Sequence, residues 1–169
     1  VGLGKTIIAV LIAKKFFFHN GFPEHRSNTL IVVPPAMKPS WETTLDQFRL
    51  DNWKIVTNGS IHTLTNPQKY DLVIVDEAHK ARNDTSDAFD ELQRLCKCGT
   101  LRNGPDGHPL PKKVILVSAT PLNNRPEDIR NLIALFQDLK RATFGPTNLQ
   151  HFFAQREKEF RDAKLLPDV

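Results

Sequence analysis

Short apolar runs alternate along the chain with longer segments whose apolar residues recur at helical spacing. This alternation predicts an α/β fold, a mostly parallel sheet with helices on both faces. Four runs read as strands: Thr29–Val33, Lys54–Thr57, Leu72–Val75 and Val114–Ser118. They are rich in Val and Ile, as strands covered on both faces are. Thr6–Phe17 is apolar nearly all round and predicts a buried helix. Asp84–Leu95 sets Ala88, Phe89, Leu92 and Leu95 on one face, behind a capping cluster of Asn83, Asp84 and Thr85. The segment Pro126–Phe136 opens on Pro126, Glu127 and Asp128, residues suited to a first helical turn, and turns Ile129, Leu132, Ile133 and Phe136 inward. A last helix, Thr147–Ala163, carries Leu149, Phe152, Phe153 and Phe160 inward, with Glu157 and Arg161 facing outward. Cys96–Lys113 holds three glycines and three prolines and reads as a surface loop or short hairpin.

Composition narrows the class. A chain of 169 residues suits one domain, and 40% hydrophobic with 25% charged residues is ordinary globular usage, which excludes disorder. The longest strongly apolar stretch, Ile7–Ala13, is too short to cross a bilayer, and no charged segment followed by a long apolar one marks a secretory signal. Two cysteines, Cys96 and Cys98, exclude a disulfide-stapled scaffold. The expectation is a soluble, cytoplasmic domain with no membrane partner. A net charge of +4 permits nucleic-acid binding without requiring it.

The chemistry concentrates in three places. Val1-Gly2-Leu3-Gly4-Lys5-Thr6 runs straight into the first helix and matches the second half of a phosphate-binding loop. In such a loop glycines let the backbone approach the phosphates and take positive φ, and helix N–H groups face the anion. Lys5 would reach the β- and γ-phosphates and the Thr6 hydroxyl would bind Mg²⁺. A chance helix-capping turn is the plain alternative for this segment alone. The run Leu72–Val75 then delivers Asp76-Glu77-Ala78-His79 at its C-terminal end, the edge where open α/β sheets bind ligands. There Asp76 would hold Mg²⁺, through a water, while Glu77 would orient and polarise an attacking water. Two solvated loop acids would not explain their place behind a buried strand. Ser118-Ala119-Thr120-Pro121-Leu122-Asn123-Asn124 follows the last strand. Its hydroxyls suit hydrogen bonding to Asp76 or His79, though they are equally ordinary loop residues.

Taken in order, Gly2–Thr6, Asp76–His79 and Ser118–Thr120 resemble motifs I, II and III of superfamily 2 helicases. Leu30-Ile31-Val32-Val33-Pro34-Pro35, with Trp41-Glu42 after it, resembles motif Ia of the Snf-type double-stranded-DNA translocases, and Thr120–Asn124 resembles their Thr-Pro-Leu-Gln-Asn element. Ser118-Ala119 departs from the Thr-Gly common in eukaryotic remodellers, towards bacterial members. The resemblance spans Val1 to about Phe136, leaving 138–169 as a lobe-specific helical appendage. It implies a RecA-like P-loop NTPase lobe that binds ATP and Mg²⁺ against a second lobe and steps along duplex DNA. It carries nucleotide binding to Gly2, Leu3, Gly4, Lys5 and Thr6, metal binding to Thr6 and Asp76, and catalysis to Lys5 and Glu77. His79, Ser118 and Thr120 would couple hydrolysis to DNA. Pro34, Pro35 and nearby backbone amides would face one strand's phosphates, contacts that position the motor without reading sequence.

Because the chain starts inside motif I, the resemblance implies that the first strand is missing, with an open place beside Leu72–Val75. The second lobe and its arginine finger are absent too, so the chain alone should hydrolyse ATP negligibly. Two other readings stay in view. An Asp-Glu-Ala-His RNA helicase shares motifs II and III, but the arginine-rich motif Ia of that group is missing from Val33–Met37. A non-motor nucleotide-binding scaffold remains, whereas a GTPase would need a guanine motif that does not occur. Cys96, Cys98 and His108 fall short of a four-ligand zinc site and read as free thiols and a loop histidine. Lys38, Lys112 and Lys113 read as solvated lysines and Trp41 as a packing residue.

Overall fold

The computed structural model describes residues 4–19, 28–78, 87–119 and 126–164. Its sheet contains β1 (Thr29–Val33), β2 (Trp53–Thr57), β3 (Leu72–Val75) and β4 (Lys113–Leu116), in the order β2-β1-β3-β4. All three pairings are parallel, and the register sets Leu30 beside Lys54 and Val73, and Ile74 beside Ile115. Side chains alternate across a strand. Leu30, Val32, Val73 and Val75 therefore enter one apolar cluster, and Ile31, Val33, Leu72 and Ile74 enter the other. The two inner strands, β1 from Leu30 onward and all of β3, are apolar without a break because both their faces are covered. The expected open place beside Leu72–Val75 is not found. β3 is flanked by β1 and by β4, so the edges of the described sheet are β2 and β4. β4 ends two residues earlier than its apolar run, although Val117 N–H still donates to Val75 O at 2.8 Å.

Helices α1 (Lys5–His19) and α2 (Lys38–Gln47) cover one face; α3 (Asp87–Lys97) and α4 (Pro126–Ala134) cover the other. α1 is not buried all round. Ala9, Val10 and Ala13 seat against the sheet, while Ile7, Ile8, Leu11 and Ile12 are 40–55% exposed. Apolar residues on every side make the packed face invisible to periodicity, and here the small Ala9 and Ala13 mark it. On α3 the inward stripe is Phe89, Leu92, Leu95 and Cys96, with Ala88 exposed. Residues 83–86 lie outside the described part. Burial pushes the Cys96 thiol up to about 12. Neither cysteine is in a disulfide. Between α3 and β4 the chain makes a small hairpin pinned by an antiparallel bridge between Asn103 and Pro109.

Lys112, expected in solvent, is buried. Its ammonium donates to the carbonyls of Cys98 (2.8 Å) and Gly99 (3.1 Å) and lies 2.7 Å from Cys98 Sγ. The N-terminal edge of the sheet is tied by Asp71, which accepts from the Asn28 amide at 3.0 Å and from Arg102 Nε at 2.8 Å.

The last helix, α5 (Leu149–Lys164), packs on α4 through buried Leu149 and Phe153. Glu157 does not face outward as its spacing with Arg161 suggested; its carboxylate lies 3.6 Å from Arg130 of α4. Just past α4, Leu135 is fully buried in the cluster under α3. Leu135→Ala leaves a cavity there and is expected to lower stability by about 2–5 kcal/mol, read by denaturant unfolding. A loss below about 0.5 kcal/mol would show that the α4 end is not part of the cooperative core. Among the described residues, no helix is long and apolar enough to cross a membrane.

Candidate active site

Gly4 opens α1 with φ at +75°, in the left-handed region, and its carbonyl accepts the Ile8 N–H at 2.8 Å. That backbone shape favours glycine. Lys5 and Thr6 occupy the first turn, half-buried, and that turn contains no acidic residue. The first N–H groups of an α-helix have no partner within the helix and bear partial positive charge, which favours an anion.

The far end of α1 shows where this turn lies. Lys14 donates to Phe48 O at 2.8 Å, at the end of α2, and Phe16 lines a cavity of about 260 Å³ with Asp71 and Arg102. Those partners sit at the N-terminal edge of the sheet. From Lys14 back to Lys5 the helix rises about 14 Å. From Asp71 to Asp76 the strand advances about 16 Å. Lys5 and Asp76 are thereby carried to the same, C-terminal, edge.

At that edge the turn after β3 is held from both sides. Asp76 N–H donates to Val32 O at 2.8 Å and Ala78 N–H to Val117 O at 3.0 Å, extending the ladders to β1 and β4. Asp76 is 4% exposed, and each carboxylate oxygen has its own donor: Oδ1 accepts the Glu77 N–H at 2.9 Å, and Oδ2 accepts the Trp41 indole N–H at 2.8 Å. A carboxylate has about four lone-pair positions, so each oxygen keeps capacity for a further ligand. Glu77 has φ at +53° and is half-buried. A non-glycine residue in this region is strained, by about 1–3 kcal/mol, and such strain collects at functional turns. The turn aims consecutive acids differently: Asp76 inward to Trp41, Glu77 partly to solvent.

Other expected site residues reach the same edge. Ser118 is half-buried immediately after Val117. Pro34 leaves β1 extended, with φ −60° and ψ 145°, and Pro35 begins a short 3-10 turn. The amides expected beside them are partly committed. Neither proline has an N–H, and Met37 and Lys38 donate theirs to Pro34 O and Pro35 O. The segment also carries the exposed Lys38 side chain, 3.8 Å from Glu42, as a cation that could face an anion. Gly2, Leu3, His79 and Thr120 lie outside the described residues. Trp41 is the residue that sequence reasoning undervalued: it does pack, fully buried, but its one polar atom is spent on Asp76.

The parallel sheet with helices on both faces also occurs in a known architecture. Over 97% of its length the chain superposes, with a TM-score of 0.64 and 15% identity, on the SWI2/SNF2 ATPase core of Sulfolobus solfataricus in complex with dsDNA, covering 36% of that chain. The fold is that of part of a SWI2/SNF2 ATPase core. In that fold the edge holding Asp76 and Lys5 is the C-terminal edge of a parallel α/β sheet. In sequence the whole chain is 29% identical, over 189 residues, to YqhH of Bacillus subtilis (strain 168), described as an uncharacterized ATP-dependent helicase. The chain spans about a third of these relatives' lengths, 30% and 36%. No protein-family model matches it.

Proposed function

We propose that this chain is the ATP-binding half of an ATP-dependent double-stranded-DNA translocase or helicase of the Snf type, coupling ATP hydrolysis to movement on DNA. What supports it most is that the Gly4–Lys5–Thr6 turn and the acids Asp76 and Glu77 lie towards one edge of the sheet. The DNA-bound SWI2/SNF2 core and the ATP-dependent helicase of B. subtilis support the same reading, and Ser118-Ala119 favours a bacterial member.

In this reading the backbone from Gly2 to Thr6, through Leu3 and Gly4, wraps the phosphates of ATP, and Lys5 reaches the β- and γ-phosphates. The donor set suits Mg²⁺, which takes one or two protein oxygens and completes its shell with water and phosphate. Thr6 and Asp76 would hold it, and when bound it neutralises charge that develops on the phosphoryl oxygens. Glu77 orients the attacking water and accepts its proton. His79, Ser118 and Thr120 relay the state of the site towards DNA. Pro34 and Pro35, with Lys38, face the backbone of one strand, so binding carries no sequence preference. A second lobe supplies the remaining catalytic groups, and the chain by itself turns over negligibly.

Comparing polymers tests the assignment. In the full-length protein, duplex DNA is expected to stimulate ATP hydrolysis well above the level reached with RNA of equal length. Stimulation by RNA alone would move the chain to the RNA helicases.

A further inference from the structure

We infer that Trp41 is a positioning residue for Asp76, its buried indole N–H holding the carboxylate in the orientation that the metal site requires and tying it to the helix that follows Pro34–Pro35. The inference rests on the ATPase reading above and adds a residue to it.

Trp41 is completely buried and Asp76 nearly so, and Trp41 Nε1 lies 2.8 Å from Asp76 Oδ2. An indole kept only for its volume needs some acceptor for its single N–H, and a backbone carbonyl would serve. Here the acceptor is the acid at the end of β3, 35 residues away in sequence. The second donor to that carboxylate is the neighbouring Glu77 N–H, on the other oxygen. One bond from the local turn would leave the carboxylate free to swing about it. Two bonds, from separate elements to separate oxygens, fix its plane and leave a lone pair on each oxygen for outside ligands. This is how hydrogen-bonded partners of a metal ligand orient it, and losing such a partner typically lowers metal affinity or activity 10–100-fold.

The location gives the bond a second consequence. Trp41 is the fourth residue of α2, whose first turn follows directly on the Pro34–Met37 segment. A shift of that segment moves the indole, and with it Asp76. The structure contains this direct side-chain link between the segment placed towards DNA and the acid placed towards Mg²⁺.

The test uses the full-length protein with β-(3-benzothienyl)alanine at position 41, which keeps the bicyclic shape and replaces the N–H by sulfur. The half-saturating Mg²⁺ concentration for ATP hydrolysis is expected to rise about tenfold or more. Mn²⁺ binding with ATP present, read by electron paramagnetic resonance, should weaken in parallel, while the melting temperature changes little. Wild-type metal dependence in both readouts would overturn the inference. Should that variant fail to fold, 5-fluorotryptophan at position 41 keeps the N–H, and its ¹⁹F resonance is expected to shift when Mg²⁺ joins ATP. A resonance unmoved by Mg²⁺ would overturn it as well. The ATPase reading fails separately, and takes the inference with it, if the wild-type protein neither binds nor hydrolyses Mg²⁺–ATP.

Discussion

Lys5→Ala in the full-length protein is expected to reduce DNA-stimulated ATP hydrolysis at least about 10²–10³-fold, the usual loss when one preorganised charge-stabilising donor is removed from a transition state. The ammonium is carried on the first turn of α1, held in place by Ala9, Val10 and Ala13 against the sheet and by Lys14 at Phe48 O. Those anchors lie one to three turns away, so truncating Lys5 leaves the helix seated. Lys5 itself is only half-buried and belongs to neither apolar cluster. The variant should therefore fold normally, bind duplex DNA normally and fail at turnover. Unchanged ATPase in Lys5→Ala would mean that the Gly4–Thr6 turn only caps a helix.

Glu77→Gln is expected to separate binding from hydrolysis. Gln has nearly the same shape and meets the same left-handed backbone, so the strain at φ +53° is unchanged and folding should be too. What disappears is the capacity to take a proton from the attacking water, a contribution of about 10²–10⁴-fold in rate. ATP affinity, followed by a fluorescent analogue, should stay within a few-fold of wild type. Loss of ATP binding with Glu77→Gln would reverse the assignment of the two acids, giving Glu77 the metal and not the water.

Much of this fold was legible because buried parallel strands are written as unbroken Val/Ile runs. Thr29–Val33 and Leu72–Val75 appear in the structure with the predicted ends. The position of Asp76 and Glu77 directly after a buried strand, at the sheet's C-terminal edge, was legible for the same reason. α2 was not. Lys38–Gln47 offers only Trp41 and Leu45 as buried positions, too little for a periodic signal, and it begins beside two prolines. Strand adjacency was also hidden: β3 lies between β1 and β4, and no local pattern encodes which strand neighbours which. Periodicity misplaced Ala88 and overlooked Cys96 because one residue's rotation about the helix exchanges the edge of the stripe. The charged residues misread were long side chains that find partners across elements, Lys112 at Cys98 and Glu157 at Arg130. The same blindness to distant partners concealed the bond from Trp41 to Asp76.

In the full-length protein the sheet edge that carries Lys5, Asp76 and Glu77 is expected to hydrolyse ATP in response to duplex DNA. The most direct test is steady-state ATP hydrolysis by the full-length protein as blunt duplex DNA is titrated, with Lys5→Ala measured alongside. Saturable stimulation is expected in the wild type and none in the variant. ATP binding without any DNA-stimulated turnover in the wild type would contradict it, and would leave a nucleotide-binding scaffold in place of a motor.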